Sequence, residues 1–279
     1  MNGAITGRTL RDIRWHVVWY GLGLALYAAL MVWLFPTFRE VVADAEYPDE
    51  LLAFFGTEGD LTEPANFLTT EFFSFAPVIF MIYGVVVGTG LLAGDEGRGR
   101  LESLLAQPVT RTTLFVSRVL ALVGGSVAIC ALIVVGWLAS APFVDLGPSV
   151  TTVELAAATF LLLPIVWCFA ALALLLSAVA PSRGMAAGIM TGIAIASYLL
   201  SSFAMTVEPI EWTRFLSPYY YSDGTRLLTE GAVWWHQALL LAATGLVGGL
   251  AVLAFNGREI GGGTWQPRAI ARGWRSLRG

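Results

Sequence analysis

Polar and charged positions are bunched along this chain, and the stretches between the bunches form six apolar runs, at residues 15–35, 72–93, 113–141, 154–180, 184–207 and 236–255. A hydrocarbon core of about 30 Å is crossed by roughly 20 residues of helix. Each run therefore predicts a transmembrane helix. In the first, Trp15 and Trp19 fall at one membrane interface and Trp33 at the other. That run is longer than the apolar part of a cleaved leader, about 7 to 15 residues, and lacks a small-residue cleavage site after it. It is expected to remain as a span.

The polar intervals differ in character. Ahead of the first run, Ile5, Leu10 and Ile13 are interspersed among Arg8, Arg11 and Arg14, which by themselves read as a topogenic arginine cluster. Residues 36–71 form an acidic loop with nine carboxylates and Arg39, broken by Pro48, Gly56, Gly59 and Pro64. A short link with Asp145 joins the third and fourth runs, and Pro181, Ser182 and Arg183 make a tight turn before the fifth. Residues 208–235 are amphipathic, with Pro209, Pro218, Tyr219, Tyr220, Tyr221, Trp234 and Trp235, and predict one or two short helices at the outer interface. Asp223 and Arg226 fit either an exit gate or a solvated turn. The tail from Asn256 carries five arginines and one glutamate.

The interval the rest is organised around runs from Ala93 to Arg118. It holds Arg98, Arg100, Arg111 and Arg118 with Asp95, Glu96 and Glu102. Leu101, Leu104 and Leu105 share one face at helical spacing, and Pro108 closes the segment. This predicts an amphipathic helix of about two turns, too short to persist unless it docks.

Composition sharpens the class. The chain has 279 residues, 57% hydrophobic and 13% charged, against about 25% charged in soluble domains. It reads as an all-α integral membrane protein, one domain over residues 1–279. There is no lysine, which removes the P-loop lysine, Schiff-base chemistry and a lysine base together. The two cysteines, Cys130 and Cys168, lie inside apolar runs, and His16 and His236 sit at membrane edges. No metal-ligand spacing results, no metal site is expected, and no nucleophile and base pair falls at a plausible depth. Catalysis by this chain is not expected. Nor is nucleic-acid binding.

Six spans place both termini on one side. That side receives thirteen of the sixteen arginines but five of the twenty acidic residues, so the termini and the 93–118 interval are predicted to be cytoplasmic. Small-xxx-small spacing occurs at Gly84 and Gly88, Gly90 and Gly94, and Gly184, Gly188 and Gly192. Close helix packing within one subunit is the first reading of that spacing, and packing across a dimer the second.

A span, an acid-Gly-basic string, the segment LESLLA, then Pro-Val-Thr-Arg and another span resembles the permease subunits of ABC-2 type transporters. Glu96, Gly99, Leu101, Glu102, Leu104, Leu105, Pro108, Val109 and Arg111 match that pattern, Thr110 replaces a serine, and Arg100 stands where threonine is common. Phe215, Leu216, Ser217 and Pro218 are similar to the family's Leu-Ser-Pro string. The resemblance implies a permease that pairs with a second permease subunit, commonly a copy of itself, and with two cytosolic ATPase subunits; richness in alanine, glycine and arginine with no lysine suggests a GC-rich prokaryotic genome, which makes the expected location a prokaryotic plasma membrane. ATP and Mg would bind those ATPases, with no cofactor on this chain.

It further implies that the segment up to Arg14 is an amphipathic interfacial helix and that the LESLLA segment is the coupling helix, with Glu96, Arg98, Arg100, Leu101, Glu102, Leu104, Leu105 and Arg111 facing the ATPase. A helix lying on the membrane, with Arg98 and Arg100 at anionic headgroups, is the other reading. The second and fifth spans line the dimer axis in family members, which makes Tyr83, Thr89, Thr191, Ser197, Tyr198, Ser201 and Met205 candidate substrate-path positions. Bonding of those hydroxyls within their own helices competes with that role. The scarcity of ionisable residues in the spans argues against an ion-coupled carrier and favours an amphipathic, drug-like or lipid-like export substrate. The same architecture also suits an ATP-driven subunit that acts mechanically on an extracytoplasmic partner through the acidic loop, in enzyme maturation or envelope remodelling.

Overall fold

A computed structural model describes residues 3–42, 61–95, 109–144, 146–147, 150–206, 208–222, 228 and 231–258. The described residues form an all-helical bundle in which six helical segments are long and apolar enough to cross a membrane. The spans expected from the apolar runs are all present, with different ends.

The first helix, α1, runs unbroken from Gly3 to Val42. The arginine-bearing N-terminal segment and the first span are thus one continuous rod, with no separate interfacial helix among the described residues. No glycine or proline stands between Leu10 and Tyr20 to break it, and Pro36 is carried inside the helix. One stripe, Ile13, Leu24, Ala28, Val32 and Phe35, is buried, while Trp15, Trp19, Leu26 and Trp33 are exposed on the other side. That exposed stripe faces lipid in a bundle of this kind.

The second span starts earlier than its apolar run. It comprises α2 (Pro64–Leu68), a π-helical turn (Thr69–Phe73), α3 (Ala76–Thr89) and a second π-helical turn (Gly90–Gly94). Thr69 and Thr70 are buried, and the Thr70 hydroxyl returns a bond to the Asn66 carbonyl at 2.9 Å. A polar residue satisfied by its own helix can enter the bundle, which hydropathy alone does not register.

The third span is α4 (Arg111–Ser140), whose first turn is capped by the Thr110 hydroxyl accepting from the Thr113 N–H at 3.2 Å. The fourth is split into α5 (Thr152–Phe160) and α6 (Leu163–Val179). Pro164 lies in the first turn of α6, where its missing N–H breaks no helical bond. A reciprocal pair of bonds between Thr151 and Glu154 starts α5. Then follow α7 (Arg183–Thr206), a 3-10 segment (Glu208–Leu216) and α8 (Trp234–Gly257).

Packing follows small residues. The longest contact is α1 along α4, with α8 along α6 and α3 along α6 next. A Cβ on Gly136 of α4 would run into the Ala25 carbonyl oxygen of α1, with the Ala25 Cα and carbonyl carbon at 3.0 Å, and one on Gly84 or Gly88 would press on backbone oxygens of Val166 and Ala170 at 3.1 and 3.2 Å. Between helices in lipid, where apolar burial gives little net drive, such close approach supplies the attraction. Trp137 is fully buried where α4 meets the second and fourth spans, with Phe72 edge-on at 4.7 Å and its ring N–H donating to the Thr159 hydroxyl at 3.0 Å.

Candidate functional site

At the end of the bundle that carries Asp95 and Arg111, the second, fourth and sixth spans finish and the third and fifth begin. Carbonyls at a helix C-terminus lack intrahelical donors and carry about half a negative charge. Three arginines meet them, and a fourth, Arg183, bonds a carbonyl further inside the second span. Arg118, buried on α4, donates to the Leu91 carbonyl in the π-turn after α3 and pairs with the Asp95 carboxylate at 2.8 Å. Arg111, the first residue of α4, donates to the carbonyls ending α8, Phe255 at 3.4 Å and Asn256 at 3.5 Å, and to that of Arg258. Arg258, just past α8, reaches the Ser177 carbonyl near the end of α6 at 2.8 Å. Arg183, opening α7, reaches the Val86 carbonyl of α3 at 3.4 Å.

Gly90 and Gly94 have their explanation here. A Cβ on Gly94 would stand 3.2 Å from the Arg183 side chain and one on Gly90 3.5 Å from it. Gly94 makes room for the Arg183 side chain, Gly90 is in ordinary contact with it, and Gly84 and Gly88 serve contact with α6. The third set is different: Gly184, Gly188 and Gly192 of α7 have nothing within 4 Å of a built Cβ. With Ile195 and Leu199 they give α7 an exposed face without a neighbour among the described residues.

At the other end, the segment between α7 and α8 reaches inward. The Ser217 hydroxyl bonds the Ser197 carbonyl at 2.7 Å. Tyr219 lies edge-on to Tyr198 at 5.5 Å, packs against Phe169 of α6, and sends its hydroxyl to the Met81 sulfur at 3.2 Å. Burial, with the neighbouring Tyr198 phenol, pushes the Tyr219 phenol upward, so it stays a neutral donor. Nearby, Arg214 lies over the rings of Phe215 and Tyr220, and His236 is enclosed by Tyr220, Tyr221 and Trp235.

The candidate path residues divide by surroundings. Tyr83 is fully buried, with its hydroxyl directed to the Leu122 carbonyl at 3.3 Å, and the Thr89 hydroxyl bonds the Val85 carbonyl at 2.7 Å. Both face the interior of the subunit. Thr191 is on the exposed face of α7, Ser201 is half-buried, and Ser197 and Tyr198 are tied to the inward-reaching segment. Met205 lies in the last turn of α7. Of the candidate coupling residues, Arg111 is described above, whereas Glu96, Arg98, Arg100, Leu101, Glu102, Leu104 and Leu105 lie outside the described residues, as do Asp223, Arg226 and residues 43–60 of the acidic loop.

Between α4, α6 and α8 lies an apolar cleft of about 340 Å³, bounded by Phe115, Val119, Trp167 and the Gly245, Gly248 and Gly249 strip. Its polar groups are already committed, Thr244 to the Leu240 carbonyl at 2.8 Å and the Trp167 N–H to the Ser126 hydroxyl at 2.9 Å. Sequence reasoning counted Arg118, Arg183 and Arg258 as topogenic charge and missed their partners. One signal was available for Arg118: it follows Thr113 inside an apolar run, and a charge at that place is a functional candidate by default.

Residues 6–256 match the family profile described as multidrug efflux system permease Rv1217c, C-terminal domain. No curated protein matches the chain.

Proposed function

Because the chain belongs to the family of the multidrug efflux system permease Rv1217c, C-terminal domain, we propose that it is the permease subunit of an ABC-2 type exporter, paired with a second permease, driven by two separate cytosolic ATPases and moving amphipathic, drug-like or lipid-like molecules. The family match over residues 6–256 is the observation that carries this reading. Absence of lysine fits the division of labour, since the nucleotide chemistry then belongs to another polypeptide.

In this reading the termini and the 96–108 segment face the cytosol. Leu101, Leu104 and Leu105 seat in a groove of the ATPase, each worth about 1.5 to 3 kcal/mol when fully buried, before ordering costs. Glu96, Arg98, Arg100 and Glu102 form a charged rim that selects the partner more than it adds affinity. The uncovered small-residue face of α7 supports dimerisation, because glycines with no intrasubunit neighbour allow a second backbone to approach. Thr191, Ser197, Tyr198, Ser201 and Met205 then border the path beside that face.

Co-expression with an ATPase encoded beside the gene tests the proposal. The complex should co-purify, and vesicles containing it should move ethidium in an ATP-dependent way. Replacing Leu101, Leu104 and Leu105 together by Asp should abolish stimulation of ATP hydrolysis while leaving membrane insertion intact; unchanged stimulation would remove the coupling assignment.

A further inference from the structure

Helix α8 packs along α6, whereas its contact with α4 is slight. That contact includes Phe255 against Phe115 at 5.9 Å, Arg111 donating to the Phe255 and Asn256 carbonyls, and the Asn256 carboxamide donating to the Thr112 hydroxyl at 3.1 Å. From this junction inward, α4 and α8 part around the apolar cleft of about 340 Å³, with Trp167 and Leu174 of α6 in its third wall. The α8 wall is low, because Gly245, Gly248 and Gly249 stand in it, and a Cβ on any of them would meet nothing within 4 Å.

The cleft has an apolar body and a cationic end. Thr244 and Trp167 give their polar hydrogens to the Leu240 carbonyl and the Ser126 hydroxyl, and the other lining side chains are apolar. A water inside would lack the two to four polar partners it needs, so the fitting occupant is hydrocarbon. One turn beyond Phe115 on α4 stands Arg111, and one turn beyond Val252 on α8 stands Asn256. Both are half-buried, and Thr112 beside them is exposed. The carbonyls that hold Arg111 are neutral dipoles, and they position its guanidinium at this mouth. From Arg111 to Val123 along α4, and from Asn256 to Thr244 along α8, the helical rise is about 18 Å. That is close to one leaflet of a hydrocarbon core about 30 Å thick.

We propose that the cleft is a binding site for one anionic phospholipid of the leaflet at the Arg111 end, an acyl chain lying between α4 and α8 and the phosphate meeting Arg111 beside Asn256 and Thr112. A guanidinium presents its donors in a fixed plane that suits phosphate oxygens. The chain gives the walls partner atoms that an empty cleft denies them. It thereby joins two helices that touch little by themselves. An apolar cation of the kind exporters move would fit the body but meet the wrong sign at the mouth.

Brominated acyl chains quench tryptophan on contact, and Trp167 reports on the cleft. The full-length protein in detergent is titrated with brominated phosphatidylglycerol or brominated phosphatidylcholine, and the signal is the quenching that disappears in Trp167→Phe. That substitution leaves the Ser126 hydroxyl its bond to the Val123 carbonyl at 2.7 Å. Saturation is expected at about fivefold less phosphatidylglycerol than phosphatidylcholine, the increment of one basic residue beside an anionic lipid. Gly248→Leu fills the cleft without a clash in the subunit and should abolish the saturable signal. Arg111→Gln should bring the two lipids to parity, and Arg111→Lys should keep the preference. Equal midpoints in the wild type, or a signal that survives Gly248→Leu, would overturn the proposal. So would loss of the preference in Arg111→Lys, which would trace it to the α4–α8 junction and not to charge. Relief of the quenching by tetraphenylphosphonium would assign the cleft to a transported cation, and its loss on dimerisation, followed by light scattering, to a second copy of the chain; either result also overturns the lipid assignment.

Discussion

Ser217 and Ser197 lie with their hydroxyls 3.0 Å apart, and the Ser217 hydroxyl also bonds the Ser197 carbonyl at 2.7 Å. The two residues come from places that the sequence treats separately: one belongs to the Phe215-Leu216-Ser217-Pro218 string and the other to the fifth span. Their contact fastens the inward-reaching segment to α7, and Tyr219 continues the attachment against Tyr198, Phe169 and Met81. A buried bonded hydroxyl contributes roughly 1 kcal/mol, and more when its removal orphans a partner. Ser217→Ala is therefore expected to lower the thermal midpoint in detergent by a few degrees. Ser197→Ala should cost less, because its carbonyl, which accepts the shorter bond, remains.

Glycine spacing reads alike at three places in the sequence and means three things in space. Gly136→Ala should be among the most disruptive substitutions, because the new methyl meets the rigid Ala25 backbone instead of a side chain that can turn aside. Overpacking of this kind costs about 1–3 kcal/mol. Gly188→Ala meets nothing within 4 Å in the subunit and removes the entropic penalty of a helical glycine, about 0.5–1 kcal/mol. The isolated subunit should be unharmed or slightly more stable. Gly188→Leu should reduce the dimer fraction by light scattering if α7 faces its copy, and a dimer unaffected by that bulk would direct the interface elsewhere.

The six spans were legible because run length and bilayer thickness decide them, and neither needs a partner. Their ends were not. The run beginning at Phe72 hid a helix that starts at Pro64, since Asn66, Thr69 and Thr70 look polar in sequence and are buried in the bundle. Similarly, Arg8, Arg11 and Arg14 suggest a break before Trp15, yet no residue there breaks a helix, and α1 continues. The candidate path positions show the other gap: an apolar run shows that Tyr83 and Thr191 lie in spans but not which face each occupies. Arginine charge indicated a side of the membrane, whereas its partners are backbone carbonyls, which have no signature in a sequence.

The Trp137–Thr159 bond offers a test of the core. The Trp137 ring N–H donates to the Thr159 hydroxyl at 3.0 Å, and that hydroxyl donates in turn to the Leu155 carbonyl at 2.7 Å. Both side chains are buried, so Thr159→Val keeps the shape and leaves an indole N–H without an acceptor. The expected loss is about 1–3 kcal/mol. Trp137→Phe on top of Thr159→Val should cost less than the two single losses added together, because the orphaned donor is gone. Tryptophan fluorescence and thermal unfolding of the four proteins complete the cycle.

Orientation can be read with single cysteines, given that Cys130 and Cys168 are enclosed. Ser182, in the turn before α7, and Phe143, after α4, are both exposed and stand at opposite ends of the bundle. Thirteen of the sixteen arginines belong to the segments expected from the sequence on the Ser182 side, so Ser182→Cys should react with a membrane-impermeant maleimide only in inverted vesicles and Phe143→Cys only in intact cells. Along the same lines, Thr191→Cys should label if its face of α7 borders a water-filled path, and Thr89→Cys, enclosed beside α6, should not. Ethidium should slow labelling at Thr191 if that face borders the path, whereas equal rates with and without the dye would take Thr191 out of it. Reversed labelling of Ser182 and Phe143 would put the 96–108 segment outside the cell, away from any ATPase.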